Sequence, residues 1–327
     1  ANMLAMLLAR DRIFPDSMDK GVDGTRLAVF VSAECHYSLL MSAHVLGIGM
    51  EGVIKVATDH HRVMCMDALQ EAILSCERVP FCVVATAGTT VRGAFDPISK
   101  IADLCDEHGL WLHVDAALGA PCLFSPELDH LMAGVERADS LTWDPHKLMG
   151  MPISCSVFLA RKANTLARVC AHGDEADYLF HEKNASVDRG RISLQCGRRV
   201  DALKLWLAWK SLGHSGWQER VDRCMETAAE LEAKVRSNAR LVLMSERQFT
   251  NVCLRYEPAD SDGVDLDALN SSIRERISTE GRFMVTKAVL DGQVIIRQVI
   301  SNPDVDKAML DELLAEIVRH GDELSGS

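Results

Sequence analysis

Short, nearly continuous apolar runs recur along the first half of this 327-residue chain, with amphipathic stretches between them. Residues 27–32, 81–86, 111–114, 140–143 and 154–159 read as strands. Strands that are apolar on both faces cannot leave one face in water, so they predict a mostly parallel sheet covered by helices on both sides. Residues 39–46 read as one covering helix. Residues 97–108 read as another, with Ile98, Ile101, Leu104 and Cys105 on one face. The fold class expected is α/β. In such sheets ligands bind beyond the strand ends, so the residues just after each run are where chemistry is sought.

From about Asp201 the pattern changes. Residues 202–212 read as a helix with Trp206 and Trp209 on one face, a stripe taken here as core, and residues 219–236 as a long Ala/Glu-rich helix. Strands are expected at 241–244, 251–256, 283–286 and 294–300, with helices at 265–277 and 308–320. The expected organisation is a large domain over residues 1–200 and a smaller α+β domain over 201–327.

Charged residues make up 25% of the chain and apolar ones 48%, which is ordinary for a soluble globular protein. A net charge of −12 with no basic cluster argues against nucleic acid as a partner. No apolar run approaches the ~20 residues of a membrane span. The 11 cysteines are scattered singly, with no Cys-x-x-Cys pair, and Cys82, Cys155 and Cys253 sit in apolar runs. They read as reduced, buried thiols of a cytoplasmic protein. His60-His61 lacks a spaced partner and reads as a solvated loop, so no metal is expected.

Two strand ends carry reactive groups. The run at 140–143 leads into Asp144-Pro145-His146-Lys147, and the run at 111–114 ends in Asp115-Ala116-Ala117. A lysine and a lone aspartate delivered this way suit a cofactor that needs an amine anchor and a buried anion. Pyridoxal phosphate is one: its aldehyde forms a Schiff base with lysine, and its ring nitrogen stays protonated beside a carboxylate. Plainer readings exist for each residue. Lys147 alone would be a surface lysine, Asp115 a helix N-cap, and His36 a structural histidine. Arg297, inside the apolar run at 294–300, would form an internal salt bridge.

Six blocks, in order, carry a resemblance that runs nearly end to end. They are residues 32–38 (Ser-Ala-Glu-Cys-His-Tyr-Ser), 85–90 (Ala-Thr-Ala-Gly-Thr-Thr), 113–117 (His-Val-Asp-Ala-Ala), 143–147 (Trp-Asp-Pro-His-Lys), 195–198 (Gln-Cys-Gly-Arg) and 297–303 (Arg-Gln-Val-Ile-Ser-Asn-Pro). With them the chain resembles the group II pyridoxal-phosphate amino acid decarboxylases, the family of glutamate and cysteine sulfinate decarboxylases. The resemblance implies a fold type I transferase architecture, with a mostly parallel sheet of the seven-stranded type flanked by helices. It also implies a homodimer with its active site at the subunit interface.

The same resemblance implies roles. Lys147 would carry the Schiff base, Asp115 would pair with the ring nitrogen, and His36 would stack on the ring. Thr86 would lie near a cofactor oxygen, Ala117 under the ring and His146 near the phosphate. Arg297 would hold the substrate's α-carboxylate. The reaction implied is decarboxylation of a small acidic L-amino acid, with glutamate, aspartate and cysteine sulfinate all open. Family members carry a Gly-Ser-rich phosphate loop before the segment that opens here as Ala1-Asn2-Met3, so on this reading the chain is N-terminally truncated.

Two departures stand out. Asp144 occupies a position where many relatives have Asn, and beside a phosphate its charge would repel. The stretch 181–193, which matches the family's mobile loop, has no tyrosine to donate a proton, and Tyr178 precedes it. Two rivals therefore stay open: aldehyde formation or transamination on the same cofactor, and a non-catalytic fragment.

Overall fold

Alternate residues of the central strands enter two different cores, which fixes how the first sheet is covered. The computed structural model describes residues 1–22, 24–170, 190–195 and 197–326. The sheet comprises β1 (Leu27–Ser32), β2 (Val53–Val56), β3 (Val79–Thr86), β4 (Trp111–Asp115), β5 (Ser140–Trp143) and β6 (Val157–Ala160), in the order β2-β1-β3-β4-β5-β6. All neighbours are parallel except β5 and β6. Six strands are thus described where the seven-stranded type was expected.

The helices of this part are α1 (Asn2–Ile13), α2 (Ser17–Lys20), α3 (Ser38–Val45), α4 (Met66–Leu74), α5 (Ile98–His108) and α6 (Thr165–Cys170). Val83, Ala85, Leu112 and Val114 pack with Leu69 and Ile73 of α4 and Ile98 and Ile101 of α5. Val29, Val31, Cys82, Val84 and Trp111 pack instead with Met6 and Leu8 of α1 and Leu39 and Ala43 of α3. The period-2 side-chain alternation of a strand sends each set to its own face, and both faces are dry.

A second, antiparallel sheet holds β7 (Leu241–Leu243), β8 (Asn251–Tyr256), β9 (Thr286–Leu290) and β10 (Gln293–Val299), in the order β7-β8-β10-β9. It is accompanied by α7 (Asp201–Ser237), α8 (Leu266–Glu280) and α9 (Lys307–Ser325). The apolar cluster on the α4/α5 face of the first sheet continues into this part through Phe249, Val252 and Leu254. Phe95 meets Phe249 edge-on, with ring centroids 5.2 Å apart.

Two expectations are corrected. The strand placed at 283–286 lies at Thr286–Leu290, because Asp291-Gly292, both at positive φ, forms a two-residue turn that pairs Leu290 with Gln293. Trp206 and Trp209 are not core: they are 55% and 37% exposed, whereas Trp217 is fully buried. Gly213 (φ 65, ψ −171) interrupts α7 after both of them, and the Trp217 ring beyond it lies 6.2 Å from that of Trp209. Ten cysteines lie among the described residues, all free, with Cys82, Cys155 and Cys253 buried as expected. No helix among these residues is long and apolar enough to cross a membrane.

Candidate active site

Because β1, β3, β4 and β5 run parallel, their carboxyl ends open onto one edge of the sheet. His36 follows β1, Thr86 ends β3, Asp115 ends β4, and Lys147 follows β5 within a turn in which its N–H bonds the Asp144 carbonyl. A cavity of about 360 Å³ lies at that edge, and His36, Thr86, Asp115, Ala117 and Lys147 all line it. The loops carrying Thr86 and Ala117 approach closely. A Cβ on Gly119 would sit 2.5 Å from the Ala87 carbonyl oxygen, so only glycine allows that contact.

Asp115 is 5% exposed. Its Oδ2 accepts from Asn2 Nδ2 at 2.7 Å and its Oδ1 from the Ala117 N–H at 3.2 Å. A turn follows it, and the 3-10 helix beyond (Ala120–Phe124) is capped by Gly119, so Asp115 does not act as an N-cap. Among the described residues it has no ion-pair partner. A buried carboxylate held by neutral donors alone is costly and suits a cation.

Thr86 is also buried. Its N–H donates to Asp96 Oδ2 at 2.8 Å, while its Oγ1 has no hydrogen-bond partner. Asp96 takes a second backbone bond from Met64 at 2.7 Å, and burial pushes its pKa up to about 6 against those two bonds. Asp96 thereby fixes the end of β3.

Lys147 is the most open of the group, its side chain 40% exposed, with Nζ 3.3 Å from Asp144 Oδ2. Asp144 in turn accepts from Ser156 Oγ at 2.6 Å and itself lines the cavity. The carboxylate that would repel a phosphate is therefore turned to the lysine and to Ser156. His36 lines the same cavity as Asp115. Burial lowers its pKa, opposed by Asp115 and reinforced by Lys147, so the ring is neutral at neutral pH.

Two expected residues lie outside the cavity lining. His146 Nδ1 is 2.8 Å from the Cys155 carbonyl. Arg297, half-buried on β10, donates from Nη1 to the Thr90 carbonyl and from Nε to Thr286 Oγ1 at 3.2 Å. Thr90 does line the cavity, which puts Arg297 just behind its rim. Among the described residues Arg297 forms no ion pair, so the internal salt bridge considered above is not found. Burial, the largest influence, lowers its pKa from the usual guanidinium value. Tyr178 and most of the stretch 181–193 lie outside the described residues, as does Cys196.

Sequence reasoning missed Asn2, Ser38, Asp96 and the partners of His113. Asp96, in Phe-Asp-Pro just before α5, was the one with a local signal.

Residues 1–257 match the pyridoxal-dependent decarboxylase conserved domain. The chain belongs to this family. It is 40% identical over 333 residues to an acidic amino acid decarboxylase of Bos taurus, covering 97% of this chain and 64% of that protein. It is 39% identical over 340 residues to the cysteine sulfinic acid decarboxylase of Rattus norvegicus, covering 99% and 69%. The crystal structure of mouse CSAD superposes with a TM-score of 0.93 at 37% identity, covering 98% of this chain and 69% of that one. The chain thus spans less than two thirds of the bovine relative's length.

The fold is that of the family's pyridoxal-phosphate enzymes, and the donor set fits their cofactor. A primary amine and, among the described residues, a buried carboxylate lacking a cation and an unpartnered buried hydroxyl face one cavity. Those are the groups an aldehyde, a protonated ring nitrogen and a ring oxygen would each require.

Proposed function

We propose that this chain is the cofactor-bearing part of a pyridoxal-phosphate-dependent decarboxylase that converts a small acidic L-amino acid to its amine and carbon dioxide. The observation that carries this reading is the convergence of Lys147, Asp115, Thr86 and His36 on one cavity at the strand ends. When bound, pyridoxal phosphate supplies the electron sink for the bond broken at the substrate's α-carbon.

The chain's own residues bind and orient. Lys147 Nζ offers the amine for covalent attachment. Asp115 would hold a positive ring nitrogen in a buried setting, where the attraction is strong. Thr86 Oγ1, without a partner among the described residues, would donate to a ring oxygen. His36 would present a neutral ring to the cofactor, and Ala117, with its single methyl, would leave it room; both line the cavity. His146, whose Nε2 is 3.9 Å from Asp144 Oδ2, would contribute near the phosphate, as the family resemblance implies. Arg297, behind Thr90 at the cavity rim, would hold the substrate's α-carboxylate and so orient the α-carbon for the bond that is lost.

The acidic substrate class rests on the names of the bovine and rat relatives. The reading includes a cofactor-binding domain over residues 1–200, a smaller domain over 201–327, and a homodimer whose interface completes the site. It also includes a cytoplasmic location, which suits the free thiols.

The test is product analysis. Purified protein with pyridoxal phosphate is given glutamate, aspartate or cysteine sulfinate, and carbon dioxide and amine are quantified. Equal amounts of the two are expected for at least one substrate. Aldehyde with ammonia, or no carbon dioxide from any of them, would overturn the reading.

A further inference from the structure

Asn2 sits at the start of α1, 8% exposed, between three polar groups that come from two other parts of the chain, β4 and the start of α3. Its Nδ2 lies 2.7 Å from Asp115 Oδ2 and 2.9 Å from Ser38 Oγ, and its Oδ1 lies 3.1 Å from His113 Nε2. The orientation of the amide follows from chemistry. A carboxylate only accepts, so the nitrogen must face Asp115, and the oxygen must then face His113.

That choice propagates in both directions. An amide oxygen cannot donate, so His113 must carry its proton on Nε2. Its Nδ1 is then an acceptor for Ser140 Oγ at 2.9 Å, and Ser140 Oγ in turn accepts from Trp111 Nε1 at 2.8 Å. The competing arrangement has Nδ1–H directed at the Ser140 carbonyl, 3.1 Å away, and it would leave two acceptors facing each other at Asn2. Thr142 Oγ1, 3.3 Å from Nε2, is a weaker second partner. On the other side, Ser38 Oγ accepts from Asn2, so its own hydrogen is free for His36 Nδ1 at 2.9 Å. The Ser38 N–H points at the same nitrogen from 3.3 Å. His36 Nδ1 is therefore an acceptor, and its proton sits on Nε2.

We propose that Asn2 is a positioning residue whose two amide hydrogens fix the direction of the hydrogen bonds at both Asp115 and His36. The buried chain Trp111, Ser140, His113, Asn2, Asp115 runs donor to acceptor at every step and ends on the carboxylate. With His113 neutral, Asp115 is the one charge in that chain, so its negative charge stays directed at the cavity. The branch through Ser38 makes His36 a donor at Nε2. That the two groups face a cofactor rests on the function proposed above; the hydrogen-bond directions do not.

The test reads proton positions directly. Protein labelled with ¹⁵N-histidine, free of cofactor, is examined by long-range ¹H–¹⁵N correlation, with His36 and His113 assigned from single substitutions. Both rings are expected as the neutral Nε2–H tautomer in the wild type. In Asn2→Ala, His36 is expected to shift to a mixture containing Nδ1–H. The nearly isosteric Asn2→Asp, which sets an acceptor against Asp115 and Ser38, is expected to do the same and to weaken pyridoxal phosphate binding roughly ten-fold or more.

An Nδ1–H form dominant on either ring of the wild type would overturn the proposal. So would a His36 tautomer unchanged by both substitutions. If a variant fails to fold, the wild-type spectrum still decides. Failure of decarboxylation would leave the tautomer result standing, so the two claims fail separately.

Discussion

Asp144 Oδ2 stands 3.3 Å from Lys147 Nζ, and both side chains line the same cavity. The amine proposed for cofactor attachment is thus held by a carboxylate three residues earlier, which the Ser156 hydroxyl pins from its other oxygen. An ammonium must lose its proton and leave that partner before it can attack an aldehyde. Asp144→Asn keeps an acceptor and removes the charge. It is expected to speed cofactor capture by about two- to five-fold, the range set by a partly exposed ion pair. Stopped-flow absorbance after mixing with pyridoxal phosphate checks this. A slower capture would mean that Asp144 assists attachment.

Among the described residues Arg297 meets only neutral oxygens, the Thr90 carbonyl and Thr286 Oγ1. A guanidinium without a counter-charge next to the cavity rim is suited to a substrate carboxylate. Arg297→Gln is expected to raise KM for the amino acid by roughly 10- to 100-fold, as loss of a charge-assisted bond implies, with cofactor absorbance unchanged. An unchanged KM would remove Arg297 from the substrate site.

Asp115→Asn keeps the shape of the side chain and removes its charge. Covalent attachment at Lys147 should persist, while kcat falls by about 10²–10³-fold, the scale of losing one preorganised electrostatic partner. Steady-state kinetics alongside borohydride trapping separates the two effects. Retained kcat would show that no positive group forms beside this carboxylate.

Two buried groups make stability depend on pH with opposite signs. Burial pushes the His113 pKa down to about 4 from 6.5, so between those values the unfolded chain binds a proton that the folded chain does not. That contribution is fully present above 6.5 and is lost as pH falls through about 4. Asp96 is pushed up to about 6 from 3.8, so its contribution is present below 3.8 and is lost as pH rises through about 6. In thermal melts, His113→Gln should flatten the acid-side fall in Tm. Asp96→Asn should remove the opposing loss between about pH 4 and 6. Either variant keeping the wild-type pH dependence would contradict the corresponding assignment.

What was legible in the sequence follows from how each residue reaches the site. Lys147, Asp115, Thr86 and His36 sit at the ends of parallel strands, and in a doubly covered sheet those ends converge whatever the distance along the chain. Asn2 reaches Asp115 across 113 positions and Ser38 across 36, and no local pattern marks an asparagine at a helix start as a bridge between strands. The position of Arg297 in an apolar strand was readable, but its contact with Thr90, 207 positions away, was not. The tryptophan stripe of α7 misled because periodicity shows that Trp206 and Trp209 share a face, not that anything covers that face. For β9, the Asp291-Gly292 turn was a readable signal that outweighs the apolar character of Phe283.

The most direct test of the central claim is the attachment of the cofactor to Lys147. The purified protein is mixed with pyridoxal phosphate, its absorbance is recorded, and the mixture is reduced with borohydride, digested and analysed by mass spectrometry. A new band near the visible edge, with the reduced adduct on the peptide containing Lys147, is the expected result. A folded protein that gives no band, or an adduct on another lysine, would contradict the assignment of this cavity as the cofactor site.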